Sequence, residues 1–196
     1  MTSAATTPTR REQAKADRRE KLLVAAARLI AERGFLGVRL EDLGAAAGIS
    51  GPAVYKHFSG KEALLVELLV GVSQRLLDGG TAVVEQSASP AAALAALVEF
   101  HLDFALGEPD LIRIQDRDLE NVPTAERRKL RRTQRRYVEV WVGVLQALDP
   151  DLDETDARIR AHATFGLINS TPHSAKASAV RARPVLRAMA MTALAQ

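Results

Sequence analysis

Residues 34–65 read GFLGVRLEDLGAAAGISGPAVYKHFSGKEALL, and their spacing predicts two short helices joined by a tight turn. Leu40 and Leu43 stand three residues apart, so they share one face of the first helix. Gly48 follows where that helix must stop, because glycine adopts a left-handed backbone conformation without steric cost. Ser50 is a residue type that favours the start of a helix. The pattern is typical of a helix-turn-helix, whose second helix enters the major groove of DNA.

Neighbouring residues extend this unit on both sides. We predict an amphipathic helix over residues 18–33, ended by Gly34. The run of small residues Ala45-Ala46-Ala47 is expected to keep the first helix of the motif thin, so that the second packs close to it. Ser59, with Glu62 three residues later, predicts a capping box at the start of a fourth helix.

The segment resembles the DNA-binding domain of the TetR family of bacterial transcriptional regulators. The residues that carry the resemblance are Gly34-Phe35, Leu40, Leu43, Ala47-Gly48-Ile49-Ser50, Tyr55, His57-Phe58 and Lys61-Glu62. It covers residues 18–65, and beyond them only the helical layout is similar. The chain departs from the family pattern at Val38-Arg39, where threonine or serine is usual, and at Gly51-Pro52, where a lysine and a glycine are common.

The resemblance implies an all-α fold of about nine helices in two parts. Residues 1–17 are predicted to be a disordered basic arm, residues 18–65 the helix-turn-helix DNA-binding domain, and residues 66–196 a ligand-binding and dimerisation domain. A homodimer would bind a palindromic operator as a repressor and be released by a small apolar ligand, for which an acyl-coenzyme A and a fatty acid are the candidates.

The DNA contacts are predicted from residue type and place in the motif. Lys61 begins the fourth helix, where its charge and the free N–H groups suit a phosphate. Lys56 is the long donor of the short helix, and small Ala53 could meet a thymine methyl group. The full predicted set is Arg39, Ser50, Ala53, Tyr55, Lys56, His57 and Lys61.

Composition bounds the class of protein. The chain has 196 residues, 47% of them hydrophobic and only 4% aromatic, with no cysteine and a net charge of +3. Alanine and leucine favour helix over sheet, and disulfides and thiolate metal sites are excluded. The sequence offers neither an apolar run of roughly 20 residues for a membrane span nor a secretory signal. We expect a cytoplasmic protein without a membrane partner.

The C-terminal half contains an unusual charge pattern. Residues 126–136, ERRKLRRTQRR, hold seven basic residues, and residues 108–120 upstream are rich in acidic ones. One interpretation is a solvated helix whose charges pair with neighbours. The other is that some arginines bind the phosphates of a ligand such as an acyl-coenzyme A.

Residues 162–174, HATFGLINSTPHS, form a second unusual segment. His162, Phe165, Gly166 and Asn169 recur at helical spacing and are expected to share one face. We favour a dimer interface for that face over a ligand pocket. The candidates for lining a ligand pocket are Phe100, His101, Phe104, Gln115, Trp141, Leu145 and Phe165.

An enzyme is the rival class. The chain has four histidines but no HExxH, P-loop, G-x-S-x-G or G-x-G-x-x-G motif. We therefore predict no catalytic residues, no metal site and no cofactor. A second alternative is a helical DNA-binding protein without a ligand-sensing role, against which the large C-terminal part argues.

Overall fold

The computed structural model describes residues 9–174 and 178–194, and every regular element within them is helical. The α-helices are α1 (Arg10–Arg33), α2 (Leu40–Ala46), α3 (Gly51–Val54), α4 (Lys61–Glu85), α5 (Pro90–Gly107), α6 (Pro109–Asp118), α7 (Thr124–Leu148), α8 (Glu154–Ile168), α9 (Thr171–Ser174) and α10 (Ala179–Leu194). A 3₁₀ turn, Leu119–Asn121, joins α6 to α7. The all-α prediction is confirmed.

Helix α1 begins eight residues earlier than its apolar pattern suggests. Thr9 caps it through a capping box, in which the Thr9 hydroxyl accepts from the Glu12 N–H at 3.3 Å and the Thr9 N–H donates to the Glu12 carboxylate at 2.7 Å. Residues 10–17 are thus helical, which corrects the disordered arm predicted for residues 1–17. The rest of that arm, residues 1–8, lies outside the described residues.

The close contact between α2 and α3 depends on one glycine rather than on the three alanines. A Cβ atom at Gly44 would lie 2.6 Å from Cγ2 of Val54 and 2.8 Å from the carbonyl oxygen of Ile49. Ala45 and Ala46 are exposed, so the expectation that they thin the packing face is wrong. Gly48 makes the turn with φ of +67°, as its position predicts.

The start of α4 also differs from its prediction. The residue before the helix is Gly60, and it makes no side-chain cap. The capping box expected of Ser59 and Glu62 therefore does not form, because the helix begins one residue too late for that spacing. Ser50 does precede α3 in an extended conformation, but its hydroxyl makes no capping hydrogen bond.

Two hydrophobic clusters divide the molecule, and α4 runs through both. Leu64 to Val72 pack with the helix-turn-helix, and Leu77 packs with the C-terminal bundle of α5, α7, α8 and α10. Helix α6 also contributes to the N-terminal cluster, through Leu111 and Ile114. The chain therefore has no break at the boundary predicted after residue 65, and two helices connect the halves.

Helix α4 is also the closest neighbour of two bundle helices. A Cβ atom at Gly79 would lie 2.3 Å from Phe100 on α5, and one at Gly80 would lie 2.5 Å from Tyr137 on α7. The pair Gly79-Gly80 therefore lets three helices approach one another.

Within residues 9–174 and 178–194, one helix, α5, is long and apolar enough to cross a membrane. Its buried face, which includes Leu97, Val98 and Leu102, lies in the bundle core, and a core helix meets the same criterion of length and composition.

Candidate DNA interface and effector cavity

The predicted DNA contacts lie on and around α3. Arg39, Ser50 and Lys56 are exposed, and Ala53 is half-buried. Arg39 stands just before α2, where its N–H donates to the Asp42 carboxylate at 2.9 Å. Arg39 makes no side-chain cap of its own, so the capping hydroxyl that is usual in the family has no counterpart here.

Tyr55 is held by an acidic neighbour on α2. Its hydroxyl donates to Glu41 at 3.2 Å, and 56% of its surface is exposed. The charge of Glu41 and this hydrogen bond raise the pKa of Tyr55. The hydroxyl can therefore donate to a DNA phosphate only by leaving Glu41.

His57 lies beside the basic residues of α1. Burial lowers the pKa of His57, and the charges of Arg19, Lys15 and Arg18 lower it further. Arg19 donates to the His57 carbonyl at 2.6 Å and pairs with Glu67 on α4. Because α1 is helical, it places Lys15 and Arg18 next to the end of the recognition segment, where they add positive charge to the same surface.

Lys61 has a structural role that its sequence position did not reveal. Its ammonium donates to the carbonyls of Phe35 at 2.8 Å and Val38 at 2.9 Å, and it lies 4.3 Å from the centre of the Phe35 ring. An ammonium has three donors, so one remains for a phosphate. Any DNA contact of Lys61 is therefore combined with holding α4 to the loop between α1 and α2.

The same loop is held by α6. The Phe35 N–H donates to the Asp118 carboxylate at 3.1 Å, and that side chain is only 4% exposed. Arg117 pairs with Asp118 and donates to the carbonyl of Ile30 in the last turn of α1. The backbone of Phe35 is thus bonded on its N–H side by α6 and on its carbonyl side by α4.

A cavity of about 230 Å³ lies within the C-terminal bundle. Its apolar lining comes from five residues: Leu76, Phe104, Ile112, Val138 and Phe165. Its polar lining comes from seven: Ser73, His101, Gln115, Gln134, Tyr137, His162 and Asn169. Helices α4 and α6 both contribute, so the helices that hold Phe35 also line the cavity.

Four of the seven predicted pocket residues line this cavity: His101, Phe104, Gln115 and Phe165. The other three do not. Trp141 and Leu145 are buried in the bundle core, and Phe100 packs on Gly79. Periodicity places a residue on the buried side of a helix, but whether it meets a cavity or a neighbouring side chain depends on the other helices.

A chain of buried polar groups crosses the cavity. His101 Nδ1 lies 3.2 Å from the Tyr137 hydroxyl, and Nε2 lies 3.1 Å from Oδ1 of Asn169. Burial lowers the pKa of His101 to about 4 and raises that of Tyr137. The imidazole is therefore neutral at pH 7, and the pairing fits a ring that donates from Nε2 and accepts from Tyr137 at Nδ1.

The segment at residues 162–174 divides between two surfaces. His162, Phe165 and Asn169 line the cavity, whereas Gly166 is exposed and faces away. The expectation that all four share one face is therefore wrong. Three of them lie at the cavity, which is the alternative that we did not favour, and a dimer interface at Gly166 stays a prediction. The sequence also gave no reason to choose Ser73, Gln134 or Tyr137, because single polar residues on charged or apolar helices carry no motif.

The basic run on α7 partly pairs with the acidic segment before it. Arg127 and Arg131 both pair with Glu120, and Lys129 pairs with Glu126 at 2.9 Å. These contacts fit the interpretation of a solvated, ion-paired helix. Arg128, Arg132, Arg135 and Arg136 are exposed.

Helices α8 and α10 pack together and present small and apolar residues to solvent. Ile159, Val185 and Met189 are each more than half exposed, at 59%, 56% and 51%. Ala163 and Gly166 are exposed on the same side of α8 as Ile159. We call these five residues the α8–α10 face. Exposed apolar groups in one patch mark an interaction surface.

Larger depressions lie elsewhere, and two of them exceed 500 Å³. One, of about 530 Å³, lies between α4, α5 and α7, and the other, of about 540 Å³, lies between α1, α4 and the start of α6 and is rimmed by charged residues. Neither contains the buried polar chain, so the inner cavity is the better candidate for a specific ligand site.

An exposed helix-turn-helix on a basic surface, joined to a helical bundle with an inner cavity, defines a DNA-binding transcriptional regulator. The family model described as "Bacterial regulatory proteins, tetR family" matches residues 22–68, and "Tetracyclin repressor-like, C-terminal domain" matches residues 87–173. The chain belongs to the TetR family of bacterial transcriptional regulators.

Relatives support this family and its fold. The HTH-type transcriptional repressor KstR2 of Rhodococcus jostii is 31% identical over 68% of this chain and 66% of its own length. A TetR-family regulator from Bordetella parapertussis has a TM-score of 0.78 at 23% identity, covering 88% of this chain and 93% of its own. FadR from Bacillus subtilis, in complex with stearoyl-CoA, has a TM-score of 0.67 at 19% identity and covers 89% and 97%.

Proposed function

We propose that the protein is a ligand-responsive repressor that acts in the bacterial cytoplasm. A homodimer binds a palindromic operator, and an effector in the inner cavity releases it. The observation that carries the proposal is the double hydrogen bonding of Phe35, whose N–H is bound by Asp118 on α6 and whose carbonyl is bound by Lys61 on α4. Both helices line the cavity.

The route from cavity to DNA follows from these contacts. Ser73 and Leu76 of α4 and Ile112 and Gln115 of α6 touch the cavity. An effector that pushes these side chains displaces the two helices, and the loop held at Phe35 moves with them. The α2–α3 unit follows that loop, so the distance between the two recognition helices of a dimer changes. A ligand must bind the two conformations with different affinity for this to occur.

The α8–α10 face supports the dimer. A Cβ atom at Gly166 would meet nothing within 4 Å, so backbone from a second copy can approach there. Ile159→Asp is expected to dissociate the dimer in sedimentation analysis. Val24→Asp introduces the same charge at another exposed apolar position and should leave the dimer intact. A dimer that survives Ile159→Asp assigns the interface to another surface.

Acyl-coenzyme A is the effector class that the structural relatives suggest, since a neighbour of the same fold is described with stearoyl-CoA. The exposed arginines of α7 offer guanidinium groups that suit phosphates. The competing function is DNA binding without a sensor, which the polar lining of the cavity argues against.

The test is fluorescence anisotropy of a labelled duplex from the region upstream of this protein's own gene. Lys56→Ala and Arg39→Ala should each weaken binding by about tenfold and reduce its salt dependence. Lys129→Ala removes the same charge from α7 and should change neither. Equal effects of all three variants would contradict the assignment of the interface to α3.

Lys61→Ala needs a second measurement, because the side chain bonds two carbonyls within the domain. Its unfolding free energy should fall together with its DNA affinity. Acyl-coenzyme A of increasing chain length is then added to the wild-type complex. Release of the operator by acyl-coenzyme A of one chain-length class supports the sensor. If no acyl-coenzyme A disturbs operator binding, the effector belongs to another ligand class.

A further inference from the structure

The inner cavity combines three properties that together restrict what can enter it. Its lining contains neither an acidic residue nor a lysine or arginine. Its central histidine already has both ring nitrogens engaged, by Tyr137 and Asn169. Its volume of about 230 Å³ is below the range of roughly 300–1,000 Å³ typical of sites for drug-sized ligands.

The first property concerns charge. An ion transferred from water into such a cavity loses its hydration and needs a partner of opposite charge. His101 is neutral because burial lowers its pKa to about 4, so it cannot act as that partner. His162 is exposed and therefore lies where the cavity opens to solvent. The interior favours an uncharged group.

The second property concerns hydrogen bonds. Both ring nitrogens of His101 are engaged, whereas a donor on Gln134 has no partner in the described part of the chain. Nε2 of Gln134 is fully buried, and no acceptor among the described residues lies within reach. Gln134 lines the cavity on α7, one turn before Tyr137. A buried amide without a partner costs free energy. Because the Gln134 side chain lines the cavity, a rotation of its amide would bring this N–H to a carbonyl or ether oxygen of a ligand.

The third property is size. At roughly 30 Å³ for each water-sized group, the cavity holds about eight non-hydrogen atoms. Aromatic rings enclose it on one side, with His101 and Phe165 4.9 Å apart and Tyr137 stacked on Phe165 at 5.6 Å. A long extended alkyl chain exceeds this space, whereas a short branched or single-ring group fits it.

We propose that the cavity binds a compact, uncharged group with a hydrogen-bond acceptor, which receives the free N–H of Gln134. This inference rests on the proposed function and narrows its effector. If the effector is a coenzyme A thioester, only a short or cyclic acyl group and its carbonyl enter the cavity. A free carboxylic acid in its ionised form is rejected.

The chain carries its own reporter for this test. Trp141 is its one tryptophan, and its ring centre lies 5.0 Å from that of Phe165 and 6.0 Å from that of His101. Both neighbours line the cavity, so a bound ligand changes the surroundings of the indole. Binding is thereby measured without DNA.

The probes are cyclopentyl methyl ketone and cyclopentanecarboxylate, titrated into the full-length protein at pH 7. They match in size and shape and differ in charge. Because the ketone carbonyl absorbs weakly in the range where tryptophan is excited, the same titration of free tryptophan is subtracted as a control. The ketone should change Trp141 fluorescence in a saturable way, and the carboxylate should bind at least about tenfold more weakly. Equal or tighter binding of the carboxylate, or absence of ketone binding, overturns the proposal.

Gln134→Leu tests the hydrogen bond. It keeps the side chain's size and should weaken the ketone about three- to tenfold. Gln146→Leu is the matched control, because Gln146 is half-buried on the same helix but donates to the Leu152 carbonyl away from the cavity. The control should bind the ketone as the wild type does. Unchanged ketone affinity in folded Gln134→Leu, checked by circular dichroism, overturns the assignment of Gln134.

Operator anisotropy on the same samples separates this inference from the proposed function. A protein that binds its operator but neither probe refutes the ligand class and leaves the DNA-binding regulator intact. A protein whose cavity binds the ketone as expected, while the operator complex is undisturbed by any tested ligand, confirms the cavity chemistry and refutes release by the cavity.

Discussion

The two halves of the molecule keep their polar groups in opposite places. Among the described residues up to 65, every side chain in the buried set is apolar. The polar side chains lie at or near the surface, apart from the buried Nδ1 of His57. The buried polar residues are Ser73, His101, Asp118, Thr164 and Thr171, all in the C-terminal part or at its junction. A DNA-binding domain needs its polar groups on the surface, whereas a domain that senses a small molecule needs polar groups in its interior.

This difference predicts that the C-terminal bundle makes the stability of the protein depend on pH. The pKa of His101 is about 4 in the folded protein and has an ordinary value of 6.5. The unfolded chain therefore binds a proton first as the pH falls, and the folded state loses stability between pH 6.5 and about 4. At 1.36 kcal/mol per pKa unit, the loss reaches about 3 kcal/mol.

Urea unfolding followed by Trp141 fluorescence at several pH values measures this loss. His101→Gln lacks the titrating ring, so its stability should vary less over that range. His57 has a lowered pKa as well and contributes in the same direction, so a residual slope is expected. A wild type whose stability is constant from pH 6.5 to 4 contradicts the burial of a neutral histidine.

The helix-turn-helix should be most sensitive to a methyl group at Gly44. Gly44→Ala forces a Cβ atom against Val54 and the Ile49 backbone, and overpacking of this kind costs about 2 kcal/mol. Operator affinity should fall with it. Gly143→Ala is the control, since a Cβ there meets nothing within 4 Å and alanine is the better helix former, by about 0.5–1 kcal/mol. Denaturation curves of the two variants should move in opposite directions.

The junction between the halves is tested at Asp118. Asp118→Asn keeps the size but weakens the bonds to the Phe35 N–H and to Arg117, at a cost of about 1–2 kcal/mol. We expect ligand affinity to persist while the effect of ligand on operator binding shrinks. Asp116→Asn changes an exposed carboxylate on the same helix and should preserve the coupling. If ligand weakens operator binding of Asp118→Asn as fully as that of the wild type, the effect of the cavity reaches the DNA-binding domain through α4 alone.

The smallest effect is expected on the DNA surface. Glu41→Gln removes a negative charge beside α3 and frees Tyr55, so operator affinity should rise about threefold at low salt, as for a surface charge. Glu85→Gln, at the far end of α4, is the matched control. Weaker operator binding in Glu41→Gln would mean that Tyr55 contacts the DNA only when Glu41 holds it in place.

The helical class and the motif could be read from the sequence because they depend on neighbours in the chain. Gly48 and the leucines of α2 act within a few residues, and the structure places them as the pattern predicts. The Thr9–Glu12 capping box is equally local, so the early start of α1 is also encoded by neighbouring residues. The DNA contacts at Arg39, Ser50, Ala53, Tyr55, Lys56, His57 and Lys61 stay predictions.

By itself, therefore, the sequence determined an all-helical regulator with a helix-turn-helix, because a turn and a helical face are set by residues close together in the chain. Only the tertiary structure decided that Lys61 and Asp118 meet at Phe35, that Gly44 makes the close approach, and that Gln134 and Tyr137 face a cavity. These contacts join residues far apart in the chain, and their partners are fixed by how whole helices pack, which periodicity within one helix does not specify.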